Sequence, residues 1–341
     1  CLQFAQQVVT IDNHRVHPKL SAGIAMYPDD GDDVDQLLRH ADMAMYDVKH
    51  NGKYGFAFFN PRMAAESADR VRLEADLRQA IGEGEFDLWY QPKIDISTGE
   101  LSGVEALIRW HHPTRGMIPP DLFIATAERV GMIKEIGEWV IATACAQLQQ
   151  WRQSGLHLQM AVNVSSSHFA SRDFVDFVQT NLERFGLQDG ELEIEITEST
   201  SRDPEEHCRV CHQLRELGVR IAIDDFGTGY SSLSVLGKLE VDTLKIDRSF
   251  ISGLPTDNAS CLMVRAIVDL SLGLGYAIVA EGVETKEQLD FLTELRCPYV
   301  QGFYFSKPVL ASDIPVLYAN PGLTDAQHKF LPRCWFPTNV F

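Results

Sequence analysis

The chain has 341 residues, 45% of them hydrophobic and 23% charged, enough for one large packed domain and a smaller one. A formal net charge of −18 argues against a DNA or RNA polymer, or an anionic membrane surface, as the main partner. A small anionic substrate stays open, because bound divalent cations reverse the local field.

No run of about 18 apolar residues and no signal-peptide pattern occurs. Seven scattered cysteines, an odd number, suit a reducing cytoplasm better than a disulfide framework. The chain begins in mid-pattern at Cys1, so upstream sensory domains, and any membrane anchor, are expected outside it. Residues 20–27 read as a strand ending at Pro28 and Gly31. Val34, Leu37, Leu38, Ala41, Met45 and Val48 then recur at helical spacing, Gly52 closes that helix, and 54–59 forms a second strand. Residues 1–62 are thus a small α/β domain. A charged amphipathic helix with Val71, Leu73, Leu77 and Ile81 on its apolar side connects it, over 63–82, to a larger domain.

From Phe86 onward strands alternate with helices. The strands are 88–94, 103–110, 158–164, 192–197, 220–224, 243–246, 277–281 and 299–305. Helices 133–153, 172–185, 204–217, 260–274 and 286–295 lie between most of them. This alternation predicts a parallel sheet, and eight strands over about 230 residues predict a TIM-like (β/α)8 barrel, across 83–318. His207-Cys208-x-x-Cys211-His212 is a weak zinc signal. Its continuation into Leu214, Leu217 and Val219 makes it a helix with two incidental thiols. The tail 319–341 has no assigned role, although Trp335, Phe336 and Phe341 could pack on the barrel.

Polar residues stand where successive strands are expected to end: Glu105, Asn163, Glu195, Asp224, Lys245, Glu281 and Gln301. The carboxyl ends of barrel strands converge on one mouth, the usual place of an active site. Alternation sends Glu193 and Glu195 inward, opposite Leu192, Ile194 and Ile196. It sends Lys245 inward too, opposite Leu244 and Ile246. Asp224 opposes Ile221 and Ile223, and Glu281 opposes Ile278 and Ala280. Glu105 shares its face with Leu107 and Arg109. So many inward carboxylates need neutralising partners. A pair of hard cations, Mg²⁺ or Mn²⁺, is the simplest, with Lys245 and Arg109 helping. Asp225 reaches the mouth only if it lies just past the strand end, where Gly227 and Gly229 allow a sharp turn.

At these residues the chain resembles the EAL family of cyclic di-GMP phosphodiesterases. The signature is Glu105-Ala-Leu107 with Ile108-Arg109-Trp110. Further matches are Tyr90-Gln91-Pro92, Asn163-Val-Ser165, Glu195-Ile-Thr-Glu198, Asp224-Asp-Phe-Gly-Thr-Gly229, Lys245-Ile-Asp247, Glu281-Gly-Val-Glu284 and Gln301-Gly302. The resemblance covers about residues 70–315 in family order. It implies two Mg²⁺ or Mn²⁺ ions held by Glu105, Asn163, Glu195, Asp224, Asp225 and Glu281, with Ca²⁺ inhibitory. Lys245 would position and activate the attacking water. Glu281, Glu105 and Asp224 would also take part in catalysis. Gln91, Arg109, Asp247 and Gln301 would contact the substrate, cyclic di-GMP, which would be opened to linear pGpG. Glu198, Glu284 and the loop of Phe226, Gly227, Thr228 and Gly229 would couple the site to a homodimer interface. The one small departure is Ala125, where relatives often carry Pro. Residues 21–28, 41–46 and 49–53 resemble the last third of a GGDEF domain without its signature loop. Lys49 and Lys53 match phosphate-contacting positions, but half the pocket is missing, so a scaffold or folding remnant is expected. A receptor that binds the nucleotide without turnover, or a scaffold module, is the alternative to an enzyme.

Overall fold

The computed structural model describes residues 9–11, 14–16, 20–51, 55–197, 204–228 and 240–319. The expectations for Lys53, Glu198, Gly229 and the tail from 320 fall outside the described residues. Two compact units divide at Gln79 and Ala80.

In the first unit, β1 (Val9–Ile11) pairs antiparallel with β2 (His14–Val16). The strands β3 (Ser21–Ile24) and β4 (Gly55–Phe58) pair in parallel, with α1 (Val34–Asn51) between them in sequence. Asp33 starts α1 by accepting from the Gln36 backbone N–H at 2.7 Å. Gly23 allows the strand to approach this helix closely, since an added Cβ would fall 1.8 Å from the Ala41 carbonyl oxygen. The helix α2 (Pro61–Glu83) spans the division.

The second unit contains an eight-stranded closed barrel. Its strands are β5 (Phe86–Asp95), β6 (Leu101–His112), β8 (Gln159–Asn163), β9 (Leu192–Thr197), β10 (Arg220–Phe226), β11 (Thr243–Ile246), β12 (Ala277–Ala280) and β13 (Tyr299–Gln301). From β6 to β13 each pairs in parallel with the next, and β5 closes the ring between β13 and β6. The expected parallel sheet fails at β5, which is antiparallel to both neighbours. Only residues 96–100 join β5 to β6, with Gly99 at φ 70, and so short a link can only make a hairpin. A second hairpin adds β7 (Gly116–Ile118) to the far half of β6.

The helices of this unit are α3 (Pro120–Val130), α4 (Ile133–Gln153), α5 (Ser166–Phe169), α6 (Phe174–Phe185), α7 (Pro204–Glu216), α8 (Arg248–Ile251), α9 (Asn258–Leu274), α10 (Lys286–Glu294) and α11 (Ile314–Tyr318). The apolar strand residues Ile194, Ile196, Ile221, Ile223, Leu244, Ile246 and Ile278 are all buried, and their opposite parity leaves the polar set on the barrel axis. Cys208 and Cys211 lie on α7 and not in a disulfide, as the helical reading expects. No described helix is long and apolar enough to cross a membrane.

Candidate active site

Strand parity and register together gather the polar residues. Asn163 lies opposite Glu195, Gln91 opposite Glu105, and Gln301 opposite Lys93. Six of the seven residues expected at strand ends are at or near them. Glu105 is instead in mid-strand, because β6 runs on past the barrel mouth to form the hairpin with β7.

At the centre of this upper layer stands Lys245, 1% exposed. Its Nζ lies 2.7 Å from Glu195 Oε2, 2.6 Å from Glu281 Oε1, 3.3 Å from Asp224 Oδ1 and 3.6 Å from Glu105 Oε2. Burial opposes the ammonium charge, but these four carboxylates outweigh it and hold the pKa well above the usual lysine value. Glu105 accepts from Asn163 Nδ2 at 2.6 Å and from Gln301 Nε2 at 2.5 Å. Gln301 Nε2 also reaches Gln91 Oε1 at 3.3 Å. Burial, then Glu105 and Asp224, push Glu195 well above the carboxylate range, and its Oε1 is buried without any hydrogen-bond partner. Burial likewise lifts Glu281 to about 8. Among the described residues no three His, Cys, Asp or Glu side chains surround a common point as metal ligands. The carboxylates close on the Lys245 ammonium instead.

At the rim, Asp225 reaches the mouth by a backbone kink and not by following the strand. It has φ 54, and the pairing of β10 with β11 skips between Ile223 and Phe226. Burial, then Asp224, then Asp247 raise its pKa. Asp247 caps α8, accepting from the Ser249 backbone N–H at 3.0 Å and from the Ser249 hydroxyl. Phe226 is buried within the chain, and Thr228 Oγ1 donates to the Asp225 carbonyl at 2.8 Å. Gly227 has φ 97, and an added Cβ would meet Phe250 at 3.0 Å. Arg109 lies over the Trp89 ring at 5.8 Å and donates to the Ile108 carbonyl at 2.9 Å, and the Glu105 carboxylate acts on its charge. Burial lowers its pKa. Glu284 is exposed, and the structure does not bring its side chain to the cluster.

One layer below, Glu193 and Lys93 form a second buried pair at 2.8 Å, 1% and 3% exposed. Glu193 also accepts from Thr243 Oγ1 at 2.8 Å and Gln159 Nε2 at 3.4 Å. Sequence reasoning places Glu193 inward but misses its partner. A signal exists: in Gln91-Pro92-Lys93, Lys93 shares the parity of Gln91.

A family profile described as "EAL domain" matches residues 74–308, and one described as "Diguanylate cyclase, GGDEF domain" matches residues 1–54. The bifunctional diguanylate cyclase/cyclic di-GMP phosphodiesterase MucR of Pseudomonas aeruginosa is 44% identical over 310 residues, which is 90% of this chain and 45% of MucR. The oxygen sensor protein DosP of Escherichia coli is 41% identical over 90% of this chain and 38% of its own length. The chain therefore spans less than half the length of these relatives. A solved structure described as the PaMucR phosphodiesterase in complex with c-di-GMP superposes with TM-score 0.69 at 45% identity, covering 71% of this chain and 99% of that one. The EAL enzyme Bd1971, bound to cAMP and cyclic di-GMP, gives 0.71 at 32% identity over 84% of this chain and 76% of that one.

Proposed function

The chain belongs to the EAL domain family, and from that premise we propose that it hydrolyses one phosphodiester bond of cyclic di-GMP, giving linear pGpG, with two divalent cations, Mg²⁺ or Mn²⁺. The substrate rests on the relatives: MucR is named for this activity, and its phosphodiesterase structure holds c-di-GMP.

The observation that carries the reading is the charge on the upper layer. Ionised, Glu105, Glu195, Asp224, Asp225 and Glu281 bring five negative charges against the one positive charge of Lys245, leaving four. Two divalent cations supply that neutralisation. The donors are carboxylate oxygens plus the Asn163 amide, which suit a hard cation, and the unpartnered Glu195 Oε1 is an oxygen ready to ligate. Glu105, Asn163, Glu195, Asp224, Asp225 and Glu281 would hold the ions. When bound, these would make water nucleophilic near neutral pH and stabilise charge on the leaving oxygen. Lys245 would hold the attacking water through its N–H groups. Arg109, held against Trp89 at the mouth, would take a substrate phosphate. Gln91 and Gln301 would set the substrate's position beside Glu105. Asp247, already capping α8, would act on the substrate from the rim. Homodimerisation coupled through the loop after Asp225 is part of the proposal, although Phe226, at the start of that loop, is buried within its own chain.

The test is cyclic di-GMP turnover with and without EDTA. Chelation should abolish it, Mg²⁺ or Mn²⁺ should restore it, and Ca²⁺ should not. Turnover that survives chelation overturns the reading. Tight binding without turnover in Mg²⁺ would make the chain a receptor.

A further inference from the structure

The lower end of the barrel is unusual for its class. Barrel interiors are normally packed shut by branched apolar side chains. Here a cavity of about 190 Å³ opens on the axis beneath the Lys93–Glu193 pair, and every barrel strand or the turn leading into it supplies a wall residue. Gly190 and Ala277 leave the space, and Lys93, Ser102, Gln159, Arg220, Thr243 and Tyr299 give it polar walls. On a chain of net charge −18, these walls carry two cations, Lys93 and Arg220, and no carboxylate.

Both cations have hydrogen-bonding capacity left over. A lysine ammonium carries three donors. Lys93 donates one hydrogen bond, to Glu193, and no other described side chain or carbonyl accepts from it. Such buried donors call for an acceptor. The Arg220 guanidinium has no hydrogen-bond or ion-pair partner among the described residues. It lies close to the Gly190 backbone, where an added Cβ would fall 3.2 Å from Arg220 Nε. Gly190 has φ 81, so a side chain there is disfavoured twice. Counting Glu193 behind Lys93, the lining of this cavity has one positive charge in excess.

We propose that this cavity binds a small, singly charged oxyanion, a carboxylate or a phosphate group, between Lys93 and Arg220. The forked guanidinium suits two oxygens, and the ammonium takes a third contact from the opposite wall. The upper layer cannot compete for the anion when cations are removed, because its carboxylates repel it.

The test follows the melting temperature of the EDTA-treated chain at constant ionic strength, replacing sodium chloride by sodium acetate in one arm and by inorganic phosphate in the other. A saturable rise in either arm is expected, and the arm that responds identifies the anion. Arg220→Gln, at an exposed position, should weaken the apparent affinity about tenfold or more, the loss of a charge-assisted contact. Arg220→Lys should retain part of it, and Arg109→Gln, at the opposite mouth, should leave it unchanged. Absence of a saturable rise in both arms, an undiminished response in Arg220→Gln, or a response lost in Arg109→Gln instead would overturn the proposal.

Discussion

The barrel holds two buried charge clusters one layer apart. In the lower one a single carboxylate, Glu193, meets a single ammonium, Lys93, and two neutral donors complete its shell. In the upper one four carboxylates crowd a single ammonium, Lys245, and an oxygen of Glu195 is left without a partner. The Lys93 ammonium and its hydrogen bonds hold Glu193 below the ordinary carboxylate range in spite of burial, whereas Glu195 and Glu281 are pushed above it. Both clusters are made by the same strands at the same parity. What differs is balance. A balanced buried pair is structure, and an unbalanced one needs something the chain does not contain.

The largest expected effect breaks the lower pair. Lys93→Met leaves Glu193 buried and unpaired, and should lower unfolding free energy by about 3–5 kcal/mol. Lys93→Met with Glu193→Met removes both charges and should recover most of that loss. Urea denaturation of both variants measures it. Equal losses in the single and double variants would mean that packing, and not charge balance, holds this layer.

The upper lysine should behave differently. Lys245→Ala in Mg²⁺ should lower the maximal rate of cyclic di-GMP turnover by roughly two orders of magnitude or more, with substrate binding largely retained. The cations that balance the carboxylates would also hold the fold together. A near-normal rate would remove Lys245 from the reaction.

A third difference is in pH. Glu281, at about 8 in the fold, is raised above its unfolded value, so between about 4.5 and 8 the folded chain binds more protons than the unfolded one. Stability of the EDTA-treated chain should therefore fall as pH rises through this window. For this one group the slope is at most about 1.4 kcal/mol per pH unit. Glu281→Gln should flatten it, and Mg²⁺, if it ligates the ionised form, should reverse it. Thermal melts from pH 5 to 8.5 decide; a slope unchanged in Glu281→Gln would assign the effect to another group.

Much of this contrast is legible in the sequence. Alternation alone places Glu193, Glu195, Asp224 and Lys245 on the axis and the isoleucines outside, because the side-chain period of a strand is two. The reversal of β5 leaves a trace that the expected parallel sheet overlooked, since strands at 88–94 and 103–110 are eight residues apart, too few for a crossover helix. Two features are less so. Partners across the barrel, such as Lys93 with Glu193, lie 100 residues apart, and only closure brings them together. Parity puts Arg109 on the face of Glu105, whose charge acts on it, but gives no sign that it also lies over Trp89 of the adjacent strand. Local backbone departures leave the least trace, and Asp225 is the clearest case.

The smallest expected effect is at that residue, and it bears directly on what the upper layer exchanges for its function. Asp225 is one of two non-glycine residues with positive φ among those described, and its neighbours Asp224 and Asp247 repel its charge. Left-handed backbone is tolerated by Asp better than by most residues but still disfavoured. Without cations, Asp225→Gly should therefore stabilise the chain, by about 1 kcal/mol once the greater freedom of glycine in the unfolded state is set against the relieved backbone. Asp225→Asn separates the two contributions, keeping the kink and removing the charge. If Asp225 ligates a cation, both variants should need more Mg²⁺ for half-maximal turnover, and only Asp225→Gly should gain the backbone share of stability. Calorimetry in EDTA and a Mg²⁺ titration of turnover read the two effects separately. A loss of stability in Asp225→Gly, or an unchanged Mg²⁺ requirement in both variants, would place the kink in the service of folding and remove Asp225 from the cation site.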